Sequence, residues 1–117
     1  MFNFEKLEVW QEAIEFADLV YRLTRAFPDD ERFGLINQMR RAAVSISSNI
    51  AEGSSRSSRA GFARFVEIAT GSVFEVVSQA TIGKRQGYLS EGSYQALYHA
   101  AEKQSRMLTG LRRSLAR

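Results

Sequence analysis

Chemistry-bearing side chains are scarce in this chain. It has no cysteine and a single histidine, His99. The lack of cysteine excludes a disulfide framework, a thiolate metal site and a cysteine nucleophile. A di-iron carboxylate site in a helix bundle needs Glu-x-x-His on two helices. Here the only histidine reads His99-x-x-Glu102, the reverse order. Serines are plentiful, but one histidine cannot supply a base and its orienting partner for nucleophilic catalysis. Glu67 and Glu75 fall near one helical face, yet two turns of rise separate them by about 12 Å, too far to share a proton. No glycine-rich phosphate loop is present. The expectation is a protein that is not an enzyme and carries no metal or cofactor.

Cations offer more. Lys and Arg number 16 against 13 Asp and Glu, a net charge of +3. The distribution is uneven. Residues 1–28 hold five acids and three bases, net −2, and the remainder carries net +5. From Lys103 onward come Arg106, Arg112, Arg113 and Arg117, with no acid. Arg56, Arg59 and Arg64 surround a Ser/Arg-rich break upstream. Cations at a helix C-terminus are favoured by the helix dipole, so a solvated, self-stabilised helix end is one reading. A phosphate-binding patch is the other.

A third group is polar residues at seam positions. Arg41, Ser45 and Asn49 recur every four residues. Polar seam residues cost stability and fix register or assembly. They are expected to form a network with Ser72 and Glu75. Glu75 is flanked by Phe74, Val76 and Val77, so a buried carboxylate there needs a partner. Arg40 or Arg41 is the candidate. A ligand-facing polar strip is the alternative.

The elements that must position these groups are helical. Leu7, Trp10, Ile14, Ala17 and Tyr21 follow a 3,4 rhythm, and Val9, Ala13, Phe16, Val20, Leu23 and Phe27 run beside them. Together they make a face wider than one packed stripe requires. Pro28 stops the helix. Asp29 or Asp30 can cap the next, whose seam is Leu35, Met39, Ala42, Ile46 and Asn49. Gly53 and the serines break it, and Ser57 or Ser58 can cap a third helix seamed by Phe62, Phe65, Ala69, Ser72 and Val76. Gly87 suits a left-handed C-terminal position. Ser90 caps a fourth helix, with Leu89 and Tyr94 placed as a hydrophobic staple. Four helices over about residues 5–26, 30–53, 58–86 and 91–115, joined by short connections, predict one all-α domain over residues 1–117. The fold class is an antiparallel up-down-up-down four-helix bundle. Small residues on the second and third helices predict close packing between them, with Gly71 at the point of approach. No apolar run reaches the roughly 18 residues of a membrane span. Glu5 and Glu8 argue against a signal peptide, so a cytoplasmic location and no membrane partner are expected.

The run Gln38-Met39-Arg40-Arg41-Ala42-Ala43-Val44-Ser45-Ile46-Ser47-Ser48-Asn49-Ile50-Ala51-Glu52-Gly53 resembles the signature of the 23S rRNA intervening-sequence proteins. Leu7-Glu8-Val9-Trp10-Gln11, Phe27-Pro28 and Ala69-x-Gly71-Ser72-x-x-Glu75 extend the likeness, which weakens after about Tyr88. The resemblance implies a bacterial four-helix bundle that assembles as a homopentamer, with no known enzymatic activity. A similar protein is the accessory variability determinant of diversity-generating retroelements, which binds nucleic acid and a reverse transcriptase. With that resemblance, one stripe of the first helix faces the bundle and the other a neighbouring subunit. The row Val9, Ala13, Phe16, Val20, Leu23 and Phe27 is the candidate interface. The functional expectation is an accessory factor binding RNA or structured DNA through a basic end formed by Arg56, Arg59, Arg64, Lys103, Arg106, Arg112, Arg113 and Arg117. The alternative is a homo-oligomeric scaffold for a protein partner.

Overall fold

Apolar spacings of three and four residues wind the chain into helices, and a computed structural model describes all residues from Met1 to Arg117. The four main helices are α1 (Glu8–Thr24), α2 (Asn37–Ser54), α3 (Arg59–Arg85) and α4 (Glu91–Leu115). A 3-10 turn, Asn3–Lys6, precedes α1. Residues 5 and 6 therefore lie before the first α-helix. The turn is held by Gln11 Nε2 donating to the Glu5 carbonyl at 2.8 Å and by the Phe4 ring edge against Trp10 at 5.0 Å.

The second helix begins later than its sequence suggests. A 3-10 turn (Asp29–Glu31) and a π turn (Arg32–Ile36) come first. Neither Asp29 nor Asp30 caps. The Glu31 carboxylate instead accepts from the Leu35 N–H at 3.0 Å. Gly34 makes this possible: a Cβ there would sit 2.6 Å from Glu31 Oε1. Ser58 caps α3 through the Gly61 N–H, and Ser90 caps α4 through the Ser93 N–H. At the end of α3, Gly87 has φ +84°, with Tyr88 N–H bonded to the Gly83 carbonyl and Gly87 N–H to that of Lys84. That bond pair is a Schellman motif, and the left-handed residue it needs is the one that lacks a side chain.

Cross-helix bonds fix the directions. Thr81 meets Tyr94 while Glu67 meets Arg112, so α3 and α4 run antiparallel. Leu35 lies near Gly83 and Gly53 near Phe62, so α2 and α3 do as well. Gln104 reaches Val9 and Lys103 reaches Glu12, closing α4 against α1. The result is an antiparallel four-helix rod of 44 × 22 × 22 Å.

Its core corrects the reading of α1. Val9, Ala13, Phe16, Val20 and Phe27 are buried inside the chain's own bundle, and Leu23 packs partly buried against them. They are no subunit interface. The row that remains apolar through Phe27 lies at the centre of the wide face. The other seam forms its flank, where Leu7, Trp10 and Ala17 are half-buried and Tyr21 is exposed. Gly71 is a second correction. It faces outward and a Cβ there would meet nothing within 4 Å. The close approaches are at Gly53, where a Cβ would come 2.8 Å from Phe62 and Phe65, and at Gly83, 3.1 Å from the Phe27 ring.

Candidate nucleic-acid interface

Helix direction decides which cations meet. α2 ends and α3 begins where α4 ends, so the α2–α3 connection and the C-terminal tail share one end of the rod. Arg59 Nη1 donates to the Arg117 carbonyl at 2.6 Å and ties the two together. Arg56 lies in the connection, its guanidinium carbon 4.4 Å from the Phe65 ring centroid. Arg112 and Arg113 occupy the last turn of α4. The carbonyls exposed there carry partial negative charge that favours cations. Arg64 stands about 8 Å further along α3 by helical rise.

Not every predicted cation belongs to this end. Lys103 and Arg106 lie about 21 and 16 Å along α4 from Arg117. α4 is one uninterrupted helix, so its basic residues are spread along its length. Lys103 is paired with Glu12 of α1 at 3.3 Å. Arg106 edges a groove between α3 and α4 that also holds Phe74 and Tyr98. The sequence shows no aromatic platform there, because Phe74 and Tyr98 come together only when α3 packs on α4. At the basic end, Arg112 places Nη2 2.5 Å and Nε 2.8 Å from Glu67 Oε1. Arg113 is exposed and makes no ion pair within the chain. Glu5, Glu8 and Glu52 partly offset the arginine charge at this end.

The seam network forms in part. Ser45 and Ser72 hydroxyls meet at 2.9 Å across α2 and α3. Asn49 Nδ2 donates to the Ser45 carbonyl at 2.8 Å and to its hydroxyl at 2.9 Å. Glu75 is outside this network. It is exposed, and its Oε2 accepts from Gln79 at 3.1 Å. Arg40 turns the other way, donating from Nε to Thr24 Oγ1 at 3.0 Å and covering the Tyr21 ring. Arg41 makes no ion pair. The buried Glu75–arginine pair does not exist, because Glu75 points off the outer side of α3 into solvent and needs no buried partner.

Other chemistry is sparse. His99 is exposed, its Nδ1 3.4 Å from Glu102. Glu67 and Glu75 are both exposed and engaged by Arg112 and Gln79. No three His, Asp or Glu side chains are grouped as a metal site. No helix is long and apolar enough to cross a membrane.

The model for the 23S rRNA-intervening sequence protein family matches residues 5–110, nearly the whole bundle. The chain belongs to that family. A similar solved structure is a protein of unknown function from the S23 ribosomal protein family of Bacteroides thetaiotaomicron. It shares 23% identity, with 88% of this chain and 96% of the other aligned at a TM-score of 0.78. At that identity the likeness establishes the shared fold. No curated protein matches. The matched span takes in α1, α2 with its 38–53 run, α3 and most of α4. The arginines of the tail lie partly beyond the matched residues, since Arg112, Arg113 and Arg117 follow position 110.

Proposed function

We propose that this member of the 23S rRNA-intervening sequence protein family is a nucleic-acid-binding accessory factor, acting through the arginine-rich end of its bundle. The Arg59–Arg117 contact carries this reading, because it joins two separately encoded basic segments into one surface. Arg56, Arg59, Arg113 and Arg117 are the phosphate-contacting residues. No element resembles a groove-reading helix, so binding is to RNA or structured DNA with weak sequence preference and strong dependence on salt. The test is a titration of the intact protein against mixed RNA and DNA at low and high salt. Binding that weakens steeply with salt supports the proposal. No binding at low salt, where phosphate contacts are strongest, removes it.

A second reading, a homo-oligomeric scaffold that engages a protein partner, draws on a different surface. With the α1 row enclosed, a group of exposed apolar side chains remains on the outer side of α2 and α3. Phe74 is 65% exposed, Ile82 50%, Ile68 48% and Val44 42%. Gly71 lies among them with open space where its side chain would be. A mid-helix glycine costs about 1 kcal/mol relative to alanine, and no contact within the chain explains it. A neighbouring copy pressed against this face does, including in the pentamer implied by family resemblance. Phe74→Glu with Ile68→Glu lowers the mass seen by light scattering if that face assembles the protein. A wild-type mass equal to one chain ends this second reading. The first is independent of it. Action in the cytoplasm accompanies both.

A further inference from the structure

The polar strip of α2 is absorbed by neither reading, yet it borders a hollow of about 680 Å³ that runs along α2 from Asn37 to Asn49, with Tyr21 of α1 at its edge. Its lining includes Arg40, Arg41, Asn37, Ser48 and Asn49, and no carboxylate. Both formal charges on its wall are positive.

Several of these side chains are held in place by bonds that serve no backbone need. Thr24 is fully buried and donates its hydroxyl to the Val20 carbonyl at 2.8 Å. Its oxygen can then only accept, and it accepts from Arg40 Nε. The Arg40 guanidinium also lies 4.6 Å from the Tyr21 ring centroid. Its position is thereby fixed while its Nη1 makes no bond. On the other wall, Asn49 uses its amide N–H groups on Ser45, whose hydroxyl is anchored to Ser72. The Asn49 carbonyl oxygen is left as a free acceptor. Arg41, Ser48 and Asn37 carry donors with no partner in the chain. One held guanidinium, Arg40, beside an exposed and unpaired one, Arg41, in a positive, acid-free hollow fits an oxyanion, since guanidinium–phosphate bonds are charge-assisted and geometrically specific.

We propose that this hollow is a phosphate-ester site. Arg41, Arg40 and Asn37, within about 6 Å of rise on α2, hold the anion, and Ser48 and Asn49, about 10–18 Å further along the helix, face the sugar and base of a bound mononucleotide. A mononucleotide and a nucleic-acid backbone share this chemistry. The site does not depend on the arginines of the bundle end, so the two proposals fail separately.

The test follows the Arg41 Nε–H, Ser48 amide and Asn49 side-chain amide resonances of the intact protein by NMR. Inorganic phosphate, adenosine 5′-monophosphate and a single-stranded oligonucleotide are titrated in turn at constant ionic strength. Saturable shifts are expected at Arg41 with phosphate, and at all three residues with the mononucleotide. Arg41 is exposed and unpaired, so Arg41→Ala should fold normally and weaken mononucleotide binding by about tenfold or more. Arg113→Ala with Arg117→Ala should leave it unchanged. Shifts with the oligonucleotide that the mononucleotide displaces identify the backbone as the source, and shifts with the small ligands alone identify a free nucleotide. Resonances that stay still in the folded protein overturn the proposal. So does an Arg41→Ala variant that titrates like wild type.

Discussion

The two ends of the rod differ in what lies on their surface. At the Pro28–Leu35 end, the chain is knitted to itself. Phe27 is buried, packs at a tilt against the Tyr88 ring with centroids 5.4 Å apart, and fills the space left by Gly83. Glu31 joins the start of α2 to the α3–α4 connection by accepting from Leu35 N–H and from the Tyr88 hydroxyl at 3.3 Å. At the Arg56–Arg117 end, Gly53 packs under Phe62 and Phe65, but the arginines above it make exposed contacts, to the Arg117 carbonyl, the Phe65 ring and Glu67. Exposed ion pairs contribute roughly 0–1 kcal/mol each. Both ends are packed inside, but the second also carries exposed arginine charge that the fold does not require. That difference is why function is placed at the second end.

Substitutions can break the comparison. The largest effect is expected from Phe27→Ala, which removes a buried ring from three packed elements. It should cost about 3–5 kcal/mol in denaturant unfolding. A loss below about 1 kcal/mol would mean that this end is not knitted as described. Glu31→Ala deletes the carboxylate that both Leu35 and Tyr88 use. A cost of about 1–2 kcal/mol is expected, and it should be larger than for Glu52→Ala at the basic end.

A pH series sharpens the same contrast. Removal from water, then the nearby charge and hydrogen bond of Glu31 and the charge of Asp30, raise the Tyr88 pKa above its ordinary 10.0. The folded state holds this proton more tightly than the unfolded state. The stabilisation is complete below the unfolded value and is lost as pH rises from there through the raised folded value. Urea midpoints measured from about pH 9 to 11 should fall, and the fall should shrink in Tyr88→Phe. An identical decline in that variant would assign the alkaline loss to other groups. The smallest effect on stability is expected at the far end. Arg113→Ala with Arg117→Ala should change unfolding by no more than about 0.5 kcal/mol. A loss several times larger would make that end structural.

Much of the fold was legible because its signals are local. The 3,4 rhythm, Pro28, the Ser90 cap and Gly87 all act within one or two turns of sequence. Where two readings competed locally, the sequence could not choose. Both stripes of α1 are apolar, and only packing against α2 and α4 shows that Phe16 and Val20 are central. Gly71 and Gly53 look equally small in sequence, but close approach depends on the rotation of α2 against α3. The π turn at Gly34 was hidden because it arises from a carboxylate folding over a missing side chain. For the candidate site, helix direction alone brought Arg56 and Arg59 to the C-terminal tail. It could not exclude Lys103, whose partner Glu12 is far away in sequence. The α1–α2 hollow was legible only as a polar strip, since Tyr21 completes it from another helix and buried Thr24 holds Arg40 there.

The central claim is tested most directly by the salt dependence of RNA binding. Wild type is compared with a variant in which Arg56, Arg59, Arg113 and Arg117 are all alanine, using one labelled single-stranded RNA across a salt series. If these arginines neutralise phosphates, the slope of log affinity against log salt should become shallower by about 0.7 for each phosphate no longer neutralised, and low-salt affinity should fall. An unchanged slope and affinity in a folded variant would contradict the account.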